Sequence, residues 1–349
     1  MKIFIRVDGG KSIGIGHVMR MIVLAKELEK TNIVIFICKK DNSEKFDEGI
    51  KIIKENNLAV EYISEVNYFN NIIYLQEKYK ADCIITDSYD VDSEYFNRLK
   101  QHFKLTGYMD DVNKCYMNVD FIINQNINAF DIDYSTTTDK NTKLLLGTKY
   151  CLIRDEFINA YKEKKQKEQV EDILLTLGGM DDEKNTLKLL KVLEKVKKNI
   201  HVVIGKAYSN ELIEEMEISY KENSNIIFYK NANMAKLMCK CDMAISGCGT
   251  TTYELCAMKV PCIGIIIADN QRDVARKMIE NKMLFEAFNI NNFDEKKFES
   301  SIYKLMNGNK YRSIIMEKHK EKIDILGKYK LVNEINEIIE IIKEGNTCE

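Results

Sequence analysis

Short apolar runs alternate with longer amphipathic segments along almost the whole chain. Strand-like runs such as Lys2–Val7 and Cys83–Thr86 are separated by segments with helical spacing, such as His17–Glu29. This alternation is typical of α/β layers around a mainly parallel sheet. The pattern breaks once, near residues 150–170, and then restarts. The sequence therefore predicts an α/β fold with two doubly wound, Rossmann-like domains.

The break divides the chain into three expected segments. We expect residues 1–155 to form the first Rossmann-like domain, residues 170–285 the second, and residues 286–349 a set of extra C-terminal helices. In the last segment, Leu331 and Ile335 belong to an apolar stripe with helical spacing, which must pack on another surface. We expect the two domains to face one another across a cleft. Ligands of open α/β sheets bind beyond the carboxyl ends of the strands, so the loops there are the candidate sites.

Composition excludes several classes of protein. The 349 residues include 52 basic and 54 acidic side chains, and this balance does not supply the broad basic surface that nucleic-acid binding needs. No apolar run approaches the ~18–20 residues that span a bilayer, and the first residues lack a signal-peptide pattern. We therefore expect a cytoplasmic protein with no membrane span and no nucleic-acid partner. The ten cysteines are dispersed and lack a common zinc spacing, so we expect reduced thiols and no metal.

The loop after the first strand is the most informative segment. It contains Asp8-Gly9-Gly10 and then Gly14-Ile15-Gly16-His17, with Arg20 one helical turn later. Gly14 and Gly16 allow a ligand to approach the backbone closely, and amides at a helix N-terminus attract an anion. A dinucleotide fingerprint is absent, because Met19 stands where its third glycine is needed, and the loop does not contain the G-x-x-x-x-G-K-[ST] pattern of a P-loop. From position alone, His17 can be a cap, a ligand contact or a general base, and Arg20 can face the surface or a ligand.

Polar side chains also follow other strands of the first half. These segments are Asp87-Ser88-Tyr89, Asp110-Asp111 and Asn124-Gln125-Asn126. Adjacent acidic residues can serve as a general base or a metal pair, but Asp is equally common in turns and at helix N-caps. Amides suit sugar hydroxyl or acetamido groups, and they suit turns as well. The residues alone leave both interpretations open for each segment.

Two glycine-rich loops follow strands in the second half. The first contains Gly178 and Gly179, and the second runs from Ser246 through Gly247, Gly249, Thr250 and Thr251 into a helix that carries Glu254. Amides and hydroxyls at a helix start can hold a diphosphate, and Glu254 can accept both hydroxyls of a ribose. Such a helix start is also often only a cap. Asn270 and Gln271 follow the next apolar strand and add polar groups at the same edge.

Taken in order, these motifs resemble those of the nucleotide-sugar hydrolases of pseudaminic acid biosynthesis, a branch of the GT-B type enzymes. The spore-coat polysaccharide biosynthesis proteins are a neighbouring family. The segment Gly14–Arg20 is similar to the G-x-G-H-x-x-R signature of the hydrolases, and the resemblance covers roughly the first 285 residues. The other matching positions are Asp87–Tyr89, Asp110–Asp111, Asn124, Gly147–Phe157, Gly178–Gly179, Ser246–Glu254 and Asn270–Gln271.

The resemblance implies hydrolysis of UDP-2,4-diacetamido-2,4,6-trideoxy-β-L-altropyranose at the anomeric carbon with inversion, releasing UDP and the free sugar. This product serves pseudaminic acid biosynthesis and flagellin glycosylation. His17 would activate water, and Tyr89 and Asn270 would complete the catalytic site. The implied substrate-binding residues are Asp8, Gly14, Gly16, Arg20, Asn124, Arg154, Gly178, Gly179, Ser246, Gly247, Gly249, Thr250, Thr251, Glu254 and Gln271. No cofactor or metal is implied, because helix N-termini and amides can neutralise the departing diphosphate.

Two alternative functions stay open. A GT-B glycosyltransferase similar to the lipid-linked cell-wall N-acetylglucosaminyltransferase shares the donor site and a histidine in a glycine loop. Such enzymes commonly carry an apolar and basic membrane-facing patch, which the first half of this sequence does not show strongly. A non-catalytic nucleotide-sugar-binding protein would have a degenerate site, and the presence of His17, Tyr89 and Asn270 argues against that. The sugar stereoisomer, the role of the C-terminal helices and the oligomeric state are not defined by the sequence.

Overall fold

A computed structural model describes residues 1–10, 13–164, 167–179, 181 and 183–345 and divides into two compact units. The first unit comprises Met1–Leu152 together with the C-terminal segment from Leu326, and the second unit comprises Ile153–Ile325. Lys11 and Ser12 in the first glycine loop, and Met180 after Gly179, lie outside the described residues. Each unit contains one sheet of parallel strands with helices on its faces, so the predicted α/β class is confirmed.

The strands of the first unit are β1 (Lys2–Val7), β2 (Ile33–Lys39), β3 (Ala59–Ile63), β4 (Cys83–Asp87), β5 (Leu105–Met109), β6 (Phe121–Asn124) and β7 (Lys143–Leu146). They form a seven-stranded parallel sheet in the order β3-β2-β1-β4-β5-β6-β7. The direction of winding reverses between β1 and β4, and ligands of doubly wound sheets bind outside the strand ends at such a reversal. Asp8 follows β1 and Asp87 ends β4, so both residues lie at this edge.

The strands of the second unit are β8 (Asp172–Thr176), β9 (Asn199–Val203), β10 (Ile226–Tyr229), β11 (Met243–Gly247), β12 (Cys262–Ile266) and β13 (Ala287–Asn289). They form a six-stranded parallel sheet in the order β10-β9-β8-β11-β12-β13. Here the winding reverses between β8 and β11. The two glycine-rich loops predicted to bind a diphosphate begin directly after these two strands.

The helices in the described residues are α1 (Gly16–Leu28), α2 (Asp47–Glu55), α3 (Tyr68–Tyr79), α4 (Ser93–Lys100), α5 (Asp155–Tyr161), α6 (Asn185–Leu193), α7 (Asn210–Ser219), α8 (Met234–Lys240), α9 (Thr250–Ala257), α10 (Arg272–Glu280), α11 (Glu295–Asn307), α12 (Asn309–Lys322) and α13 (Gly327–Gly345). Side chains alternate between the two faces of a strand. Along β1, Ile3 and Ile5 pack in the core with α1, α2 and α13, whereas Phe4 packs on the other face with α3 and α4. This packing fixes α1, and with it the loop that precedes it, against the end of β1.

The segment 286–349, expected as a set of extra helices, begins with strand β13 and then contributes to both units. Phe298 of α11 and Ile315 of α12 lie in the hydrophobic core of the second unit. Leu331 and Ile335 of α13 are buried in the core of the first unit, and Ile338 and Ile342 of the same stripe pack against it partly buried. The C-terminal helices therefore complete the cores of the two units. No helix in the described part of the chain has the length and apolar character needed to cross a membrane.

Candidate active site

His17 is the second residue of α1, and its ring contacts the end of β4. Nδ1 of His17 lies 2.5 Å from Oδ1 of Asp87, and a contact this short needs a proton between the two atoms. Burial by itself raises the pKa of Asp87, but Arg20 and His17 outweigh burial and hold this pKa well below its ordinary value. The carboxylate is therefore ionised and Nδ1 is the donor. In the neutral form of the ring, Nε2 is then the nitrogen with the lone pair, the position that a general base uses.

Accessibility differs between the two partners of this pair. The His17 side chain retains 16% of its surface exposed, whereas the Asp87 side chain is completely buried. A histidine that is held by a buried carboxylate and stays partly exposed has the arrangement that general-base catalysis requires. The geometry thus favours a base or a ligand contact for His17 over a helix cap.

Arg20 lies one turn after His17 and joins two carboxylates. Its Nε and Nη2 donate to Asp87 at 2.7 and 2.6 Å, and its Nη1 and Nη2 donate to Asp111 at 3.0 and 2.8 Å. Burial lowers the pKa of Arg20, but the two carboxylates raise it well above its ordinary value, so the guanidinium stays charged. Nη2 also lies 3.1 Å from Nδ1 of His17, where both nitrogens carry protons, so this approach is packing and not a hydrogen bond. The planar guanidinium fixes both carboxylates in position.

Asp111, which follows β5, connects Arg20 to Tyr89. The Tyr89 hydroxyl donates to Oδ2 of Asp111 at 2.8 Å, and the amide of Asn126 donates to Oδ1 at 2.7 Å. Burial raises the pKa of Asp111, and Arg20 outweighs this effect and lowers it. The Tyr89 ring stands edge-on to the His17 ring, with centroids 4.8 Å apart and an interplanar angle of 89°. We call His17, Arg20, Asp87, Tyr89 and Asp111 the His17 cluster.

Asn124 and Asp110 support the cluster from inside the unit. Nδ2 of Asn124 donates to the Tyr134 hydroxyl at 2.9 Å, and that hydroxyl donates to Asp110 at 2.7 Å. Oδ1 of Asn124 accepts the backbone N–H of Asn126 at 3.0 Å. Burial raises the pKa of Asp110. Asn124 was predicted to bind substrate, and the structure places it fully buried, where it holds the segment that carries Asn126.

Asp8 and Gly14 shape the loop before α1. Asp8 is buried, and its carboxylate accepts one hydrogen bond from the guanidinium of Arg6 at 2.6 Å and another from the backbone N–H of Lys39 at 2.8 Å. Gly10 and Gly14 pair through two backbone hydrogen bonds of 3.1 and 2.9 Å. Gly14 has a φ of +78°, a conformation that favours glycine. Asp8 therefore ties the loop to the neighbouring strand, and Gly14 makes the turn that leads into α1.

The loop from β11 into α9 is the richer of the two glycine loops in the second unit. The hydroxyls of Ser246 and Thr252 both donate to the Gly247 carbonyl, at 3.1 and 3.0 Å. Gly249 precedes the first residue of α9, Thr250. The nearest atom to a Cβ built on Gly249 would be Nε2 of Gln271, 3.9 Å away. The backbone at Gly249 is therefore open to an approaching group, and the predicted residue Gln271 lies beside it.

The other loop, after β8, is fixed by a close backbone contact. Gly178 has a φ of +102°, and a Cβ built there would have no atom within 4 Å. A Cβ on Gly205, after β9, would lie 2.5 Å from the carbonyl oxygens of both Gly178 and Gly179. Only glycine at position 205 allows these two segments to pack so closely. The loop that carries Gly178 and Gly179 is thus supported from one side and open at Gly178.

Arg154 and Glu254, both predicted to bind substrate, contact each other. Nε of Arg154 donates to Glu254 at 2.8 Å, and Nη1 of Arg154 lies 2.7 Å from Glu156. Burial raises the pKa of Glu254. Glu254 is 8% exposed, so Arg154 fixes a nearly buried carboxylate. Asn270 is exposed, in a short 3₁₀ turn after β12.

The structure brings together His17, Arg20 and Tyr89 in the first unit. In the second unit it places Gln271 beside Gly249 and Arg154 against Glu254. Sequence reasoning named Asp87 and Asp111 as candidate acids or turn residues but did not pair them with His17 and Arg20. The sequence did contain a signal for this pairing. His17 and Arg20 are three residues apart on the first helix after β1, Asp87 ends β4, and Asp111 is the second residue after β5. Across the described ranges, no group of three or more His, Cys, Asp or Glu side chains is arranged to hold a metal ion.

Half of the chain matches the model of a known family. Residues 159–334 match the Glycosyltransferase family 28 C-terminal domain. An uncharacterized protein of Methanocaldococcus jannaschii is 30% identical over 285 residues, which are 78% of this chain and 57% of that protein. This chain therefore spans little more than half the length of that relative.

Two further relatives have functional names. The UDP-2,4-diacetamido-2,4,6-trideoxy-β-L-altropyranose hydrolase of Campylobacter jejuni is 28% identical over 278 residues, covering 79% of this chain and 95% of that protein. The spore coat polysaccharide biosynthesis protein SpsG of Bacillus subtilis is 27% identical over 282 residues, covering 79% of this chain and 80% of that protein. These names agree with the families that the motifs resemble.

Solved structures show the fold. The crystal structure of Acinetobacter baumannii MurG superposes with a TM-score of 0.67 at 12% identity, covering 96% of this chain and 99% of that chain. The calicheamicin glycosyltransferase CalG4 superposes with a TM-score of 0.65 at 10% identity, covering 97% and 98% of the two chains. The predicted two-domain GT-B type α/β fold is confirmed.

Proposed function

The chain belongs to the Glycosyltransferase family 28 C-terminal domain family, and from this premise we propose that it is a nucleotide-sugar enzyme that hydrolyses a UDP-sugar. The single observation that carries the proposal is the His17–Asp87 pair at the winding reversal of the first sheet, with Nδ1 and Oδ1 2.5 Å apart. A paired and partly exposed histidine is suited to activating water. The name of the Campylobacter relative supports hydrolysis as the reaction.

In the proposed reaction, Nε2 of His17 takes a proton from water as the water oxygen attacks the anomeric carbon. The bond between that carbon and the diphosphate oxygen breaks, and its electron pair leaves with UDP. Asp87 keeps Nδ1 protonated and stabilises the imidazolium that forms. Attack on the face opposite UDP inverts the configuration, and this needs one base and no covalent intermediate.

We assign the nucleotide to the second unit. Backbone amides at Gly249 and Thr250, at the start of α9, are suited to the diphosphate, because helix N-termini favour negative charge. Glu254 lies one turn later, and we propose that it accepts the ribose hydroxyls while Arg154 holds it in place. The family resemblance implies substrate-site roles for the remaining residues of this unit, and the proposal retains them for Gly178, Gly179, Ser246, Gly247, Thr251, Asn270 and Gln271.

For the sugar, we propose the diacetamido-trideoxy-altrose of the Campylobacter relative, which would place the chain in pseudaminic acid biosynthesis. Tyr89 and Asn126, both bonded to Asp111, are the nearby polar side chains suited to acetamido or hydroxyl groups. A glycosyltransferase would use the same donor but would require an acceptor in place of water.

The test is UDP release by the purified protein from UDP-linked 2,4-diacetamido-6-deoxy sugars without any acceptor. We expect turnover in water alone, and we expect His17→Asn to lose turnover while it retains UDP binding. Release that depends on an added acceptor would identify a glycosyltransferase. UDP binding without any release would identify a binding protein.

A further inference from the structure

The His17 cluster contains an imbalance of charge. Two carboxylates, Asp87 and Asp111, flank one guanidinium, that of Arg20, through four hydrogen bonds of 2.6 to 3.0 Å. Two other carboxylates near the strand ends have cationic partners: Asp8 pairs with Arg6, and Asp90 pairs with Lys39. The buried Asp110 accepts hydrogen bonds from Tyr134 and the backbone of Asn113, and burial raises its pKa. With His17 neutral, the cluster therefore carries one net negative charge.

Burial prevents solvent from screening this charge. The side chains of Arg20, Asp87 and Asp111 are 5%, 0% and 11% exposed. Arg20 lowers the pKa of both aspartates against the effect of burial, so both stay ionised at neutral pH. Lys114 donates to the Tyr89 carbonyl at 3.2 Å, but this residue is exposed and its charge is screened by water.

Asp87 and Asp111 have different hydrogen-bond partners within the cluster. Asp87 contacts both His17 and Arg20, and Arg20 balances its charge. Asp111 contacts Arg20, Tyr89 and Asn126, and the Arg20–Asp87 pair would already be neutral without it. Asp111 is thus the source of the uncompensated charge, and its partner Tyr89 stands edge-on to the His17 ring.

We propose that Asp111 determines the charge selectivity of the site: the sugar that lies against His17 must be uncharged, and a sugar that carries a carboxylate is rejected. This inference rests on the proposed function and extends it to a specificity-determining residue. A buried negative charge repels an anionic substituent, and at an intermediate dielectric the repulsion at several ångströms corresponds to at least about tenfold in affinity.

The same charge assists the reaction. Positive charge develops on the sugar ring as the bond to UDP breaks, and it develops on His17 as the water loses its proton. A net negative cluster stabilises both, whereas a neutral cluster would not. Asp111 is a positioning residue in this respect, because it acts through Arg20 and Tyr89 and does not contact His17 in the structure.

The test compares the dissociation constants of UDP-glucose and UDP-glucuronate, two ligands that differ only in a carboxylate at C6. The parent protein is the full chain with His17→Asn, which removes the proposed base and prevents turnover. We expect it to bind UDP-glucose at least about tenfold more tightly than UDP-glucuronate. Adding Asp111→Asn keeps the side-chain shape and one acceptor oxygen, and we expect the ratio to fall to within about threefold.

The matched control is Asp90→Asn, which removes a carboxylate from the loop after β4 outside the cluster, and it must leave the ratio unchanged. Asp111→Glu keeps the charge and should keep the preference for UDP-glucose. A ratio near one in the parent, or an unchanged ratio in Asp111→Asn, overturns the inference. If Asp111→Asn does not fold, Asp111→Ser, which also removes the carboxylate, takes its place in the comparison. If UDP itself does not bind, the proposed function fails; if UDP and both sugars bind equally, only the role of Asp111 fails.

Discussion

Nδ1 of His17 and Oδ1 of Asp87 are 2.5 Å apart, although the residues are 70 positions apart in the sequence. The parallel pairing of β1 with β4 brings them together, because α1 follows β1 and Asp87 ends β4. The pair determines which ring nitrogen carries the proton. The proposed chemistry depends on that assignment, since only Nε2 can then accept a proton from water.

Asp87→Asn tests this dependence. The amide cannot hold the proton of Nδ1 in the same way, so the wrong tautomer is populated. We expect kcat for UDP release to fall by roughly 10³–10⁴-fold, as when the carboxylate of a histidine pair is removed. The affinity for UDP should stay within about twofold of wild type, because we assign UDP to the second unit. A variant that turns over normally would contradict the pairing.

Tyr89→Phe separates the ring of Tyr89 from its hydroxyl. The phenyl ring keeps the edge-on contact with His17, while the hydrogen bond to the ionised Asp111 is lost. Such a bond contributes about 1.5 kcal/mol, so we expect a loss of roughly tenfold in kcat/KM. Steady-state kinetics measure this directly. A loss as large as that of His17→Asn would show that the hydroxyl takes part in the chemistry itself.

Gly249→Ala tests the assignment of the diphosphate to the start of α9. The new Cβ would have no atom closer than 3.9 Å, and the φ of −102° suits alanine, so the melting temperature should hardly change. If the diphosphate contacts this backbone, the methyl group should weaken UDP binding by at least tenfold.

Gly205→Ala is the matched comparison for this prediction. Its Cβ would collide with two backbone oxygens at 2.5 Å, so we expect it to lower the stability of the second unit as well as UDP affinity. Calorimetry of both variants, with and without UDP, distinguishes the two effects. Unchanged UDP affinity in a stable Gly249→Ala protein would place the diphosphate elsewhere.

His319 of α12 gives the second unit a defined pH dependence of stability. Burial lowers the pKa of His319, whereas the hydrogen bond from Nε2 to the Met283 carbonyl raises it. Burial has the larger effect, and the pKa is about 4. The ordinary value is 6.5, so below that pH the unfolded chain takes up a proton that the folded unit resists. The contribution to stability is complete above pH 6.5 and is lost as the pH falls towards 4.

We expect wild type to lose about 2 kcal/mol more than His319→Gln between pH 7 and pH 5, as follows from the proton uptake at one such site. Glutamine retains a donor for the Met283 carbonyl and does not titrate. The free energy of unfolding of the second unit, measured in urea at both pH values, gives the comparison. Equal losses in the two proteins would show that His319 does not resist protonation.

Much of the fold could be predicted from the sequence, because it depends on local patterns. The predicted run Lys2–Val7 coincides with β1, Cys83–Thr86 lies within β4, and the helical segment His17–Glu29 matches α1 to within one residue at each end. Strands β7 and β13 were not predicted. They have four and three residues and lie at sheet edges, so they lack the long apolar run that marks a central strand. The packing of α13 on the first unit could not be predicted either, because an apolar stripe on a helix does not identify the surface that it packs against.

The site was predictable in its parts but not in its connections. The histidine loop, the aspartates after strands and the glycine loops are all visible as motifs. The hydrogen bonds from Arg20 to Asp87 and Asp111 depend on strand order and on side-chain direction, which no spacing rule supplies. The buried structural hydrogen bonds of Asp8 and Asn124 could not be predicted for the same reason. A polar residue at the end of a strand can form hydrogen bonds within the protein or with a ligand.

The central claim is that His17, held by Asp87, directs water to the anomeric carbon of a UDP-sugar. The most direct measurement is the reaction in ¹⁸O-enriched water, followed by mass spectrometry of the UDP that is released. Attack at carbon leaves the oxygen atoms of the diphosphate untouched, so the account predicts UDP without the heavy isotope and a labelled sugar. The heavy isotope in UDP would mean attack at phosphorus and would contradict the role of His17 proposed here.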